Sequence, residues 1–242
     1  MPVPLVPVPW FGSLIWLLVL AVAAFAVSEV GTNIYRLSHR PYIAVLTLVT
    51  AALTVGYVAW AGLDPIQLLT THWGWGLLAA PLSAAFLIVG MSRLPVAHRY
   101  TGGTLGLTLL WEAVAYGIAE GVLLSALPVL ITWQMIHGLG WSGAAGTLAL
   151  WTLPIVASIA VIIVHHLGYP EYRNKMLLPI SLGCGLLSLG YLLTGSPIAP
   201  TLGHVLAHTA GLLHGTELPP HRHPDTGSHP QRVPATSSRV RS

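Results

Sequence analysis

Charge is what this chain lacks. Only 7% of its 242 residues are Asp, Glu, Lys or Arg, against about 25% in an ordinary soluble domain. With 54% hydrophobic residues and a mean hydropathy of +0.73, that scarcity excludes a soluble globular protein. Cysteine is nearly absent too. Cys184 stands alone in an apolar run, which excludes a disulfide framework and a cysteine-based metal site. Lysine occurs once, at Lys175, while Arg, Ala, Gly and Pro abound, a bias that fits a GC-rich bacterial genome. The pI near 9.2 gives no reason to expect a nucleic-acid partner, because the basic residues fall between apolar runs and in the tail, where they report topology. The expectation is a multi-pass protein of a bacterial cell (inner) membrane, with membrane lipids as its surroundings.

What is present is a series of apolar runs. A spanning helix takes about 20 mostly apolar residues, and the chain supplies seven such stretches, near 10–29, 41–62, 73–91, 104–136, 143–166, 176–194 and 197–214. The start, MPVPLVPVPW, puts no positive residue ahead of the first run, so that run is expected to be a retained span and not a cleaved signal. The fourth run is long enough to tilt, to kink at Pro128 or to project beyond the bilayer. The sixth and seventh are joined by Thr194-Gly195-Ser196-Pro197, a tight turn with Pro near the start of the next helix. The fold class is therefore all-α, a polytopic membrane helix bundle of about seven transmembrane helices. Residues 1–215 read as one membrane-embedded domain. Residues 216–242, rich in His, Pro and Arg, are expected to be a disordered tail, with its histidines solvated.

The basic residues test the count. Arg36 and Arg40 fall in the first loop, Arg93 and Arg99 in the third, Arg173 and Lys175 in the fifth, and Arg222, Arg232, Arg239 and Arg241 in the tail. The second, fourth and sixth loops carry no Lys or Arg, and Asp64 lies in the second. All of them fall on one side of a seven-span arrangement. The positive-inside rule makes that side cytoplasmic, with the N-terminus outside and the tail inside. Trp73 and Trp75 read as part of an outer interfacial belt.

Four ionisable residues lie where this frame makes them costly: Glu120, His166, His204 and His208. A charged side chain at bilayer depth costs about 2.5–3.5 kcal/mol on insertion scales and marks a functional site by default. Glu112, Tyr116 and Glu120 recur every four residues along one face of the fourth span. His165 and His166 end the fifth, and His204 and His208 lie one turn apart on the seventh. Glu120, His204 and His208 are expected to meet toward the cytoplasmic half, at a wet cavity, with His166 nearer the boundary. A buried carboxylate suits a general base. Imidazoles beside it can polarise a carbonyl, stabilise an oxyanion or bind a metal. Glu112 reads more simply as a packing residue.

The order of these residues resembles the CPBP intramembrane protease family, which includes the type II CAAX prenyl endopeptidases and bacterial relatives linked to bacteriocin processing or self-immunity. The family pattern is Glu-Glu-x-x-x-Arg, then Phe-x-x-x-His, then His-x-x-x-Asn. The resemblance covers about residues 100–215 and is closest from Gly185 to His208, where the Thr194-Gly195-Ser196 turn precedes the helix bearing His204. Gly121 stands at the second Glu, Ser125 at the Arg, Ile162 at the Phe and His208 at the Asn. A second register places Glu112 at the second Glu and Tyr116 at the Arg, and His165 is the alternative to His166. The resemblance implies an endopeptidase in which Glu120 activates water and His166 assists. His204 and His208 would stabilise the oxyanion, and the substrate would be a membrane-associated peptide or protein. The cofactor is left open between none and a divalent metal such as zinc, for which His166, His204 and His208 are candidate ligands. The missing second Glu and Arg leave a catalytically inactive member as an alternative. A transporter or metal-handling protein that uses the same His and Glu residues is another, and haem ligation by His166 with His204 or His208 is the weakest.

Overall fold

A computed structural model of the protein describes residues 8–96 and 102–216. The tail 217–242, and with it the expectation of disorder, lies outside the described residues, as does Arg99. Among the described residues all regular structure is helical. Helix α1 spans Trp10–Glu29 and runs on through a π-helical turn at Val30–Ile34. Next come α2 (His39–Trp60), the short α3 (Pro65–Thr70) and α4 (Trp73–Ser92). A composite helix, α5, follows over 102–138, and then α6 (Gly143–Leu167), α7 (Leu177–Thr194) and α8 (Ile198–His214). Six of these are long and apolar enough to cross a membrane: Trp10–Ile34, His39–Trp60, Trp73–Ser92, Gly103–Gly138, Gly143–Leu167 and Leu177–Thr194. The stretch expected as the seventh span is α8, a helix of 17 residues.

Helix α5 is the centre of the bundle. Within its most apolar window 78% of residues are buried, against 22–28% for α1, α2, α4 and α6. A carboxylate on α5 can therefore face protein and not lipid. The outer helices turn large apolar side chains outward, among them Leu18, Val22, Leu48, Leu82 and Val156. Trp73 and Trp75 are exposed at the start of α4, as an interfacial belt requires.

Proline shapes two contacts inside the bundle. Pro128 has no N–H to bond the carbonyl four residues back. That carbonyl, Leu124 O, instead accepts from Ser158 Oγ of α6 at 2.7 Å. Pro154 frees Leu150 O in the same way, and Trp133 Nε1 donates to it at 3.2 Å. With no water at this depth, freed backbone groups need such partners. The irregularity in α5 lies in two π-helical segments, Leu109–Ala115 and Gly121–Ala126, which bracket Tyr116–Glu120. Gly195, at φ 69°, ends α7 in the left-handed conformation that glycine adopts freely, and Pro197 leads into α8. Asp64 caps α3, accepting from the backbone N–H groups of Ile66 and Gln67 at 2.8 and 3.2 Å. The Asp-Pro pair is the start pattern that marks this short helix.

Contacts at one end join the basic loops. Arg173 pairs with Glu29 at 2.6 Å, Asn33 Nδ2 donates to Gly168 O at 2.9 Å, and Trp111 Nε1 donates to Arg40 O at 3.3 Å. His214 Nε2 donates to Leu94 O at 2.9 Å.

Candidate functional site: a carboxylate ringed by imidazoles

Two glycines bring the site together. Gly117 and Gly121 lie against the backbone of α8. A Cβ at Gly117 would meet Val205 Cα at 2.7 Å, and one at Gly121 would meet Thr201 Cα at 2.6 Å. Such small-residue spacing lets helices in a membrane approach closely. Glu120 sits between these glycines, so the close crossing delivers it to His204 and His208.

Glu120 is 5% exposed and His204 2%. His208 Nε2 donates to Glu120 Oε2 at 2.8 Å. His204 Nδ1 lies 3.8 Å from the same oxygen, and its Nε2 is 3.4 Å from Ser125 Oγ. The second carboxylate oxygen, Oε1, faces His165 Nε2 at 3.6 Å. Three of the expected residues, Glu120, His204 and His208, are thus in one place. His166 is buried on the wall of the same cavity, but the ring against Glu120 on α6 belongs to its neighbour. His166 Nδ1 donates to Ile162 O at 2.9 Å, which leaves Nε2 as the lone-pair nitrogen of the neutral ring. Glu112 sits apart, 3.3 Å from His39 Nδ1.

Tyrosines complete the surroundings; the four-residue spacing on the fourth span marked Tyr116, but no spacing rule picked out Tyr42, Tyr169 or Tyr172. Tyr169 OH donates to His165 Nε2 at 3.1 Å. It also bonds the Tyr42 hydroxyl and lies 3.5 Å from that of Tyr116. The Tyr116 ring packs on His208 with centroids 4.7 Å apart. Tyr169 and Tyr172 lie in the turn after α6. Burial is the main reason their hydroxyls are held well above the usual phenol range, so both keep their protons.

The cavity beside this cluster measures about 570 Å³, a size typical of small-molecule and cofactor sites. Phe86, Leu87, Met91, Ile180 and Cys184 form apolar walls, and Tyr116, Glu120, His166, His204 and His208 supply its polar groups. Leu94, Pro95, Glu171, Met176 and Thr216 also line it, so it reaches the end of the bundle that carries the basic loops. No Lys or Arg lines it among the described residues.

The donor set also fits a divalent metal. One ligand atom each from Glu120, His204 and His208 lies within 4.8 Å of the others, and a carboxylate with two imidazoles is a zinc-type set. His166 is not one of the three. Compared with known proteins, the chain matches no family model, no curated protein and no solved structure.

Proposed function

We propose that the protein is a membrane-embedded endopeptidase of the CPBP type in which Glu120 activates water against a peptide bond. One observation carries this reading: a single buried carboxylate, ringed by three imidazoles, on the wall of an apolar cavity. In this mechanism Glu120 takes a proton from water as the oxygen attacks the carbonyl carbon. His204 would stabilise the negative charge that develops on the carbonyl oxygen, while His208, whose Nε2–H donates to Glu120, holds the carboxylate in place. The proton on Glu120 then passes to the leaving nitrogen as the C–N bond breaks. The lone-pair nitrogen of His166 can orient the water. A divalent ion held by Glu120, His204 and His208 would add Lewis acidity toward the carbonyl. The apolar walls suit a lipidated or membrane-bound segment. The protein would sit in a bacterial cell membrane with seven spans, its N-terminus outside and its tail inside.

Glu120→Gln keeps the size of the side chain and removes the base. The purified variant in lipid nanodiscs is expected to lose about 10²–10⁴-fold in cleavage of a membrane peptide while unfolding at the wild-type temperature. Normal cleavage by that variant would rule out Glu120 as the base.

The three-residue donor group supports a second reading, a metal-handling membrane protein. Zinc titration separates the two. Tight binding lost in Glu120→Gln, with no hydrolysis by the wild type, favours metal handling.

A further inference from the structure

At the end of the bundle opposite the basic loops, four helices each bury a polar side chain about one turn inside their ends. Ser13 lies three residues after the start of α1 at Trp10, and Tyr57 three before the end of α2 at Trp60. Gln134 comes four before the end of α5 at Gly138, and Tyr191 three before the end of α7 at Thr194. All four residues are 0% exposed.

The helix ends converge on this layer. A Cβ at Gly12 would collide with the Trp60 ring, and one at Gly138 with the Val8 carbonyl oxygen, so α1 is pressed against both α2 and α5. Trp133, beside Gln134, packs on the Tyr191 ring with centroids 5.1 Å apart. Trp16 and Trp60 flank Tyr57, each at 5.8 Å. The Tyr57 hydroxyl faces Ser13 and interacts electrostatically with Tyr191. Yet Ser13 Oγ, the two hydroxyls and both polar atoms of the Gln134 amide reach no hydrogen-bond partner among the described residues. Serines just as deep, Ser28 and Ser158, are bonded to backbone carbonyls, as buried polar groups generally are.

The chemistry of the layer selects its guest. It carries no ionisable acid or base that would hold a cation or an anion. The amide offers two donors and an acceptor, and each hydroxyl can both donate and accept, so the guest must do both as well. The rings of Trp16, Trp60 and Trp133 pack around it, so the guest must also be small. Water meets both demands, and a buried water makes about three hydrogen bonds to groups of this kind. Polar groups that face each other beyond bonding distance are commonly joined through one.

We propose that Ser13, Tyr57, Gln134 and Tyr191 form a binding site for a small cluster of water molecules that bridges α1, α2, α5 and α7. In lipid, apolar burial gives helices little reason to associate, and interhelical hydrogen bonds help to hold them together. The cluster supplies such bonds at the end of the bundle away from Glu120. None of its four residues lines the cavity at Glu120, and the proposal does not depend on the hydrolytic reading.

The test is water-edited solid-state NMR of the full chain in lipid bilayers, with nitrogen-15 in the glutamine side chains. Gln134 is assigned by its loss in Gln134→Leu, and the exposed Gln67 serves as the solvent control. Polarisation is expected to pass from water to the Gln134 amide in the wild type, despite its burial, and to fall in the double variant Tyr57→Phe/Tyr191→Phe. A Gln134 amide that receives nothing from water overturns the proposal, and this arm needs no variant to fold. Thermal unfolding gives a second reading by its sign. Tyr57→Phe and Tyr191→Phe each remove only a hydroxyl. If water bridges the hydroxyls, each variant unfolds at a lower temperature, and the two losses together fall short of their sum, as groups in one network do. Removing a hydroxyl that is buried without a partner instead leaves the unfolding temperature unchanged or raises it. That result, or losses that simply add, overturns the shared cluster.

Discussion

At Glu120 the two carboxylate oxygens have different neighbours. Oε2 takes a hydrogen bond from His208 at 2.8 Å, while Oε1 lies 3.6 Å from His165 Nε2. His208 therefore helps orient the carboxylate, and removing it takes away that hydrogen bond, while His204 Nδ1 at 3.8 Å is beyond direct hydrogen-bond reach. His208→Ala is expected to lower kcat by about a hundredfold, the scale of losing one aligned donor. His208→Asn keeps an N–H donor, as the CPBP pattern that the sequence resembles has at this place, and should retain more activity than the Ala variant. Steady-state cleavage of a membrane peptide by both variants checks the order, and equal losses would deny His208 a donor's role. Glu120, His204 and His208 were legible in the sequence because ionisable residues are costly in apolar runs and because His204 and His208 are one helical turn apart. The choice between His165 and His166 was not. Adjacent residues point about 100° apart on a helix, and only the packing of α6 on Ala24 and Ser28 decides which ring turns toward Glu120. Tyr42 and Tyr169 were invisible for another reason. A phenol carries no charge that singles it out, and these two meet across 127 residues of chain.

Between elements, the crossing of α5 and α8 accounts for the largest difference between this chain and the CPBP pattern that its sequence resembles. The second Glu of that pattern falls on Gly121, where even a Cβ would meet Thr201 Cα at 2.6 Å and Pro200 O at 3.2 Å. A longer side chain would force α8 away and carry His204 and His208 from Glu120. Gly121→Glu is therefore expected not to restore a family-like site but to abolish whatever activity the wild type has. Gly121→Ala is the finer probe. It should lower stability by about 1–3 kcal/mol, the usual cost of overpacking. Gly106→Ala on the same helix meets nothing within 4 Å, and gains about 0.5–1 kcal/mol of helix preference. Unfolding of the two variants in detergent, side by side, measures the difference, and equal stability would mean that α5 and α8 are not in tight contact. The sequence showed the gap at position 121 but not its cause, because a close approach between helices leaves no mark except the glycines themselves. Pro128 is a similar case. Its presence raised the expectation of a kink, yet the π-helical turns in α5 lie before it, and its consequence, a hydroxyl from Ser158 on Leu124 O, joins residues 34 positions apart.

For the whole molecule, the distribution of Arg and Lys argues for seven crossings, and α8 is the element on which that count turns. Its 17 residues rise about 26 Å at 1.5 Å each, slightly short of a hydrocarbon core of about 30 Å. It need not match the full thickness, because it packs on α4, α5 and α7 and those neighbours, with the ends of α4 and α7, shield it. Its last turn is tied to the end of α4 by His214 and Leu94 O, and α4 ends at a basic loop. If α8 crosses, Thr216 must share a side with Ser38 and Asn174, and Gln67 and Ser142 must lie opposite. Single cysteines at these five positions, in a Cys184→Ser background, report their side through an impermeant maleimide. Gln67→Cys and Ser142→Cys are expected to label in intact spheroplasts, and Ser38→Cys, Asn174→Cys and Thr216→Cys only in inverted vesicles. Labelling of Thr216→Cys from outside, with the other four as expected, would reduce the count to six and turn α8 into a re-entrant helix. The cavity would keep its opening among the basic loops in that case, since Leu94, Glu171 and Met176 line it independently of where the chain goes after His214. The position of the site thus depends on the packing of α4 to α8, and the side of the membrane to which it opens is read from the arginines.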